Sequence, residues 1–262
     1  MAVIFYGLGS IYSIFLWRRG FRQDDRVCYL LLVVGLCLHM TAMARRGFSF
    51  SRCPVNNLYE ATLFAEWAMA SLCLGLGLIP RFRFLGAFAS PILFGMGVFA
   101  LMPGLDTAGP VVEVKKGFSS LHASLILLSY GAFGLSSVAA LMYLRQESDL
   151  KRHKLRGVFA WMPPIMRLEL VMARLLAAGF VLLTVGLVMG AGWLKHEKGV
   201  YFLPDAKIFW SMFVWALYLA LLVFRWRFAG GGRRFAWSTL GGFGFILFTF
   251  WGFNLLSTIH RP

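Results

Sequence analysis

The sequence predicts an all-α, polytopic integral membrane protein built as an eight-helix transmembrane bundle. Of its 262 residues, 59% are hydrophobic and 14% are charged, whereas soluble domains average about 25% charged residues. Apolar runs recur along the chain and short basic segments separate them. One run, Leu121–Leu144, carries no formal charge and is long enough to cross a bilayer as a helix. We therefore expect one transmembrane domain over residues 1–262.

Each apolar run predicts one span. The first begins without a basic segment and is followed by arginines, which indicates a retained helix and not a cleaved signal peptide. The second and fourth carry no formal charge, the third has a polar entry, and basic turns flank the last three. The expected spans are Ala2–Trp17, Val27–Met43, Asn57–Ile79, Phe84–Leu101, Phe118–Leu144, Leu170–Trp193, Ala206–Phe224 and Phe235–Leu256.

The fifth span is predicted to lie in the middle of the bundle. Small residues recur on it at almost every fourth position, which keeps them on one face where other helices can approach closely. They are Ser120, Ser124, Ala132, Ser136 and Ala140. His122 stands near one end of this helix, and an ordinary anchoring helix has no need of it.

Charge predicts the orientation. The net charge is +15, but the basic residues lie in short turns between apolar runs, so we expect no nucleic-acid partner. The connection Arg145–Glu169 is the most highly charged, and the positive-inside rule places it in the cytoplasm with both termini outside. The four cysteines form no C-x-x-C pair and are interpreted as small core residues. The expected location is a bacterial cytoplasmic (inner) membrane, crossed several times, with lipid as the surrounding partner.

In this orientation four histidines gather on the outer side: His39, His122, His196 and His260. Two neutral imidazoles from facing helices can hold a haem iron axially, and His122 with His260 is the candidate pair. Zinc bound by His122, His196 and His260 is an alternative, and a lone interfacial histidine bonded to a loop carbonyl is another. The expected loop Trp193–Trp210 contains Tyr201 and Phe202, which offer aromatic walls, although interfacial aromatic belts have the same composition.

The entry to the third span holds two carboxylates. Glu60 is expected near the outer boundary and Glu66 deeper, and an ionisable group at membrane depth is a candidate functional residue. Glu60 could instead lock two helices by pairing with an outer arginine or with His39. Helical spacing places Tyr59, Thr62 and Glu66 on one face and Glu60, Phe64 and Trp67 on another.

Four segments carry a family resemblance, and one of them, Pro164–Arg174 running into L-L-T-V-G-L-V-M-G-A, is similar to the lead into the family's next helix. C-P-V-N-N-L-Y-E, which contains Asn57, Tyr59 and Glu60, is similar to a P-x-[ST]-N-x-Y-E span entry. L-H-A-S-L-I-L-L-S-Y-G-A-F resembles an H-x-x-x-x-x-x-x-Y helix, and F-T-F-W-G-F-N-L-L-S-T-I-H resembles a last helix. These are features of the cytochrome c assembly (CcsA/CcmC-type) haem-handling membrane proteins, and the closest likeness is to the small HemX/YpjD-like branch. The resemblance runs from about Leu38 to His260.

The resemblance implies haem b as the cofactor, with His122 and His260 as the two outer ligands to its iron. It also implies that Asp205, with Tyr201, Phe202 and Trp210, shapes the rim of the haem pocket. Haem, other cytochrome c maturation proteins and an apocytochrome are the implied partners.

The sequence departs from the family in two places. Haem-presenting members have a W-G-x-x-W-x-W-D loop, whereas here Lys198–Lys207 reads K-G-V-Y-F-L-P-D-A-K, with Phe202 and Pro204 in place of tryptophans. Haem-delivering members also have a histidine near the inner end of the penultimate helix, where this chain has Val223 and its neighbours. We therefore expect no self-sufficient cytochrome c synthetase and assign no catalytic residue.

The predicted function is haem handling on the outer side of the membrane, linked to cytochrome c maturation. One alternative is a HemX-like regulatory or scaffolding protein without haem chemistry. A second is a small-solute or proton transporter that uses His39, Glu60 and Glu66 as its path.

Overall fold

The computed structural model describes residues 1–18, 26–50, 53–55, 57–106, 118–151, 163–227 and 232–256. Within them it is all helical, with eight α-helices in the order predicted. They are α1 (Ala2–Arg18), α2 (Arg26–Phe50), α3 (Leu58–Gly77), α4 (Phe84–Ala100), α5 (Phe118–Lys151), α6 (Ile165–Lys198), α7 (Ala206–Arg227) and α8 (Gly232–Leu256). A short 3-10 turn, Pro80–Phe82, precedes α4.

Helices α5 and α6 are longer than predicted, so the expected connection Arg145–Glu169 is wrong at both ends. Helix α5 continues to Lys151 and α6 begins at Ile165. Ion pairs one turn apart stabilise the extension of α5, because Arg145 lies 3.2 Å from Asp149 and Lys151 lies 2.6 Å from Glu147. The middle of the connection, with His153 and the expected interfacial segment 159–162, lies outside the described residues.

The expected loop Trp193–Trp210 is also shorter than predicted. Helix α6 runs to Lys198, so His196 lies on its last turn and not in a loop, and α7 begins at Ala206. Gly199 ends α6 with a φ of 75°, a left-handed conformation that glycine adopts without strain. Since polar side chains can continue a helix beyond the apolar run, hydropathy alone underestimates helix length.

Four of the helices in the described part of the chain are long and apolar enough to cross a membrane: Arg26–Phe50, Ser120–Lys151, Ile165–Lys198 and Ala206–Arg227. Large apolar side chains cover their outward faces; on α6, Val181 and Val188 are 59% and 67% exposed. Such surfaces suit lipid and not water. The protein is a helical membrane protein, while the crossing by all eight helices and the outer position of both termini stay predictions.

Helix α5 lies in the middle of the structure, which confirms the prediction from its small residues. Its residues 135–140 are all buried, and it packs against α3, α4, α6 and α8. Gly131 shows how close the approach to α3 is, because a Cβ atom there would lie 2.6 Å from the Cβ of Ala68. The α3–α5 contact joins a first group, α1–α4, to a second group, α5–α8.

Helices α5 and α8 run antiparallel. At one end Gly232 approaches the hydroxyl group of Tyr143, and further along α8 Phe243 packs against Gly134. Residue numbers therefore rise along α8 as they fall along α5. The C-terminal end of α8 lies at the end of α5 that carries His122.

Candidate functional site

His122 is held by the backbone of α6. Its Nδ1 atom lies 2.6 Å from the carbonyl oxygen of Gly186. A carbonyl oxygen can only accept a hydrogen bond, so Nδ1 carries the hydrogen and donates it. The other ring nitrogen, Nε2, then keeps its lone pair when the imidazole is neutral. This is the tautomer that a histidine presents to a metal when a backbone carbonyl orients it.

Gly190 lies one turn beyond Gly186 and makes room for the ring. A Cβ atom at position 190 would lie 2.5 Å from Cε1 of His122 and 3.1 Å from its Nε2. Only glycine permits this approach, because the clash would involve the ring itself. The G-x-x-x-G sequence of α6 therefore forms a groove for His122 and not only a surface for helix packing. The sequence shows that pattern, but it does not show which side chain fills the groove.

The start of α7 lies close to His122. Asp205 is 3% exposed, and its Oδ1 atom accepts the backbone N–H of Lys207 at 2.9 Å. Asp205 thus caps α7, as aspartate commonly does at a helix start. The Lys207 ammonium group is near enough to His122 for electrostatic interaction. The cap thus fixes the start of α7, the helix that carries this positive charge.

The aromatic residues expected at the rim fall into two groups. Trp210 is buried, donates from Nε1 to Oγ1 of Thr249 at 2.9 Å, and meets Tyr130 edge to face at 6.2 Å between ring centroids. It therefore ties α7 to α8 and α5. Tyr201 and Phe202 are 67% and 48% exposed and lie on the connection between α6 and α7. The structure brings Trp210, but not these two side chains, into the core near the His122 end.

His260 lies outside the described residues. It follows Leu256, the last residue of α8, by four positions. The structure does describe the direction of α8, and this helix ends on the side where His122 lies.

A second polar cluster joins α2 to α3. The Nε atom of Arg46 donates to Oε1 of Glu60 at 2.7 Å, and its terminal nitrogens donate to the carboxylate of Asp106. Asn57 caps α3 by accepting from the Glu60 backbone N–H at 2.8 Å, and its Nδ2 atom donates to Asp106 at 2.8 Å. The guanidinium carbon of Arg46 also lies 5.0 Å from the ring centroid of Tyr59. The arginine partner suggested for Glu60 is thus Arg46.

Asp106 completes this cluster from the segment after α4, and sequence reasoning missed it. Burial acts to raise the pKa of Asp106, but hydrogen bonds from Arg46 and Asn57 outweigh that effect and hold the pKa below its usual value. The sequence contains only 11 acidic residues. That scarcity is the signal that could have directed attention to Asp106 as a partner for an arginine.

Glu66, His39 and Tyr6 lie together in the interior of the first group. Glu66 is 0% exposed and His39 is 2% exposed. The Tyr6 hydroxyl group lies 3.3 Å from Nδ1 of His39, and it is also close enough to Glu66 for electrostatic interaction. Trp67, the next residue on α3, packs edge to face on Phe64 at 5.4 Å between ring centroids. The proposed pairing of His39 with Glu60 is absent, because Arg46 takes that carboxylate.

Comparison with known sequences identifies the family of the chain. The sequence profile of the cytochrome c assembly protein family matches residues 55–260, which is well over half of the chain. This chain belongs to the cytochrome c assembly protein family. The match begins just before α3 and ends at His260, so it includes His122 and the whole of the second helix group.

Curated relatives agree with this family. The cytochrome c biogenesis protein CcsA of Gloeobacter violaceus is 27% identical, over 87% of this chain and 81% of that protein. The CcsA protein of Guillardia theta is 27% identical, over 98% of this chain and 89% of that protein. The CcsA protein of Prochlorococcus marinus is 26% identical, over 92% and 85%. The closer likeness to the HemX/YpjD-like branch stays a prediction.

Proposed function

We propose that this protein handles haem for cytochrome c biogenesis and binds it on the outer side of a bacterial cytoplasmic membrane through His122 and His260. Membership of the cytochrome c assembly family supports a role in that process, as do relatives that are cytochrome c biogenesis proteins. Haem is the group that such a process must deliver to an apocytochrome. Bound haem would supply an iron that takes two axial nitrogen ligands.

The hydrogen bond from His122 Nδ1 to the Gly186 carbonyl carries this proposal. An imidazole that serves only as an interfacial hydrogen-bonding group could use either nitrogen. Here the backbone fixes the ring, and Gly190 leaves the ring in contact with α6. The residues therefore fit an iron ligand, because Nε2 keeps its lone pair and the ring has one orientation.

The direction of α8 supports His260 as the second ligand. Helix α8 ends at the His122 end of α5, and the family match extends to residue 260. Lys207 adds a positive charge beside His122. That charge suits haem, whose propionates are carboxylates, since an opposite charge stabilises a partly buried anion.

The segment from Lys198 to Lys207 restricts which role in haem handling we propose. Asp205 caps α7, and Tyr201 and Phe202 are largely exposed, so no tryptophan-rich wall stands there. We therefore propose a protein that receives or holds haem in concert with other maturation proteins, and not a synthetase that forms thioether bonds by itself.

A complementation experiment tests the function. Variants are expressed in cells that lack their own copy, and haem-stained cytochrome c is measured in the membranes. His122→Ala and His260→Ala should abolish or greatly reduce mature cytochrome c. His196→Ala is the matched control, because His196 is 72% exposed, and it should behave like the unaltered protein.

The same experiment addresses the regulatory alternative. A HemX-like regulator without haem chemistry should tolerate both alanine substitutions and still support normal cytochrome c. Wild-type levels in the His122→Ala and His260→Ala strains, with equal amounts of each protein in the membrane, would refute the haem-binding proposal.

A further inference from the structure

The interior of α1–α4 contains polar atoms that the haem proposal does not use. In the part of the chain that the structure describes, both carboxylate oxygens of Glu66 and Nε2 of His39 are buried without a hydrogen-bond partner. Burying such groups unpaired is costly. Glu66 lies on α3 and His39 on α2, and one explanation should account for both unpaired groups.

Glu66 and His39 lie at the same level of the helix group. Arg46 and Glu60 pair across α2 and α3, and Tyr29 of α2 donates to the Leu74 carbonyl of α3 at 3.1 Å, so the two helices are antiparallel. His39 precedes Arg46 by seven residues and Glu66 follows Glu60 by six. At about 1.5 Å per residue these are steps of roughly 10 Å and 9 Å in the same direction.

Helices α1 and α4 also contribute residues at the level of Glu66 and His39. Tyr6 of α1 lies against Gly35 of α2, where a Cβ atom would be 2.7 Å from the tyrosine ring. Helix α4 presents Gly97, and a Cβ atom there would be 3.0 Å from Oε1 of Glu66. The carboxyl group of α3 is therefore buried against α1 and α4, at the level of His39 on α2, and no cation among the described residues pairs with it.

We propose that Glu66, His39 and Tyr6 form a buried proton-binding site, separate from the His122 site. A carboxyl group enclosed without a cation is stable when it carries a proton and is neutral. Nδ1 of His39 lies 3.3 Å from the Tyr6 hydroxyl group, and it accepts the Tyr6 hydrogen when Nε2 carries the ring hydrogen. A proton can then pass from the Glu66 carboxyl group to the Tyr6 oxygen as the Tyr6 hydrogen moves to Nδ1. The products are a carboxylate and an imidazolium, with no change in total charge.

The ionisable neighbours fit a neutral Glu66. Tyr6 of α1 and Tyr59 of α3 interact electrostatically with it, and each is uncharged in its protonated form. Helix α2 contributes His39 at this level, and α4 contributes Gly97. Arg46, the nearest cation described on α2, is already committed to Glu60 and Asp106. Glu60 is thus the matched ionised carboxylate, buried like Glu66 but paired.

Infrared spectroscopy of the detergent-purified protein at neutral pH tests the proposal. A carbonyl stretch of a protonated carboxylic acid should be present, should shift in heavy water, and should be lost in Glu66→Gln. Glu60→Gln should retain it. Absence of the band from the unaltered protein, or its persistence in Glu66→Gln, would overturn the proposal.

Two further measurements keep the test independent of folding and of haem. If Glu66→Gln is unstable, isotope labelling of glutamate carboxyl carbons in the unaltered protein should shift the band, and an unshifted band would count against Glu66. His39→Ala should change the band frequency because it removes the proton acceptor, whereas His196→Ala should not. An unchanged band in His39→Ala would exclude His39 from the site. The haem-free protein is used, because a protonated haem propionate would absorb in the same region, and the outcomes are then independent of the haem-binding proposal.

Discussion

The Nδ1 atom of His122 lies 2.6 Å from the carbonyl oxygen of Gly186, one helical turn from Gly190. This one contact fixes both the orientation and the tautomer of the imidazole. A glycine at position 190 is required because the ring occupies the space where a Cβ atom would stand. The α5–α6 packing and the presentation of Nε2 are therefore one structural feature.

Replacing Gly190 should damage the site more than the fold. In Gly190→Ala the new methyl group would overlap the His122 ring, so we expect a loss of stability of about 1–3 kcal/mol from overpacking and weaker haem retention. Gly192→Ala is the control, because no heavy atom lies within 4 Å of its Cβ position. It should raise stability slightly, by about 0.4–1 kcal/mol. Equal haem retention by the two variants, measured by absorption after detergent washing, would contradict the role of Gly190 in making room for the His122 ring.

Removing Arg46 should be one of the most destabilising single changes among the charged residues described. It leaves Glu60 buried without its cation and releases Asp106, and breaking such a pair costs about 3 kcal/mol. Arg45→Ala is the control, since Arg45 is exposed, and should change the free energy of unfolding by less than about 0.5 kcal/mol. The measurement is unfolding in mixed micelles. Similar values for the two variants would mean that Arg46 does not hold α2 to α3.

The contribution of Asp106 should depend on pH. Its folded-state pKa lies below the ordinary value of 3.8, so its stabilising effect is present above 3.8 and is lost as the pH falls below it. Asp106→Asn should therefore be less stable than the unaltered protein at neutral pH, and the difference should shrink in acid. Thermal unfolding of both proteins across that range tests this. A difference that grows on acidification would show that the carboxylate is not stabilised by Arg46 and Asn57.

The sequence predicted the helices well because lipid imposes one strong requirement, a long apolar run for each span. Small residues on α5 also indicated its central position. The ends of α5 and α6 were misjudged, since ion pairs such as Lys151–Glu147 extend a helix where hydropathy ends. The partners within the sites could not be predicted. Asp106 is 49 residues from Asn57 along the chain and follows a different helix. Only tertiary packing brings these two residues together, as it brings Gly186 to His122.

Reporter fusions test the predicted orientation of the chain in the membrane. The positive-inside rule predicts a cytoplasmic connection between α5 and α6 and an external C-terminus. A reporter that is active only outside the cytoplasm should work after Pro262 and fail when inserted into residues 152–162. The reverse pattern would place His122 on the cytoplasmic side and overturn the proposed side of haem binding.

The absorption spectrum of the purified protein loaded with haem tests the central claim most directly. The unaltered protein should show the Soret band of a six-coordinate haem with two nitrogen ligands. His122→Ala and His260→Ala should each shift that band and weaken haem retention, and added imidazole should partly restore both because the missing contact is a nitrogen ligand. His196→Ala should leave the spectrum unchanged. An unaltered bound-haem spectrum in both His122→Ala and His260→Ala would contradict the account.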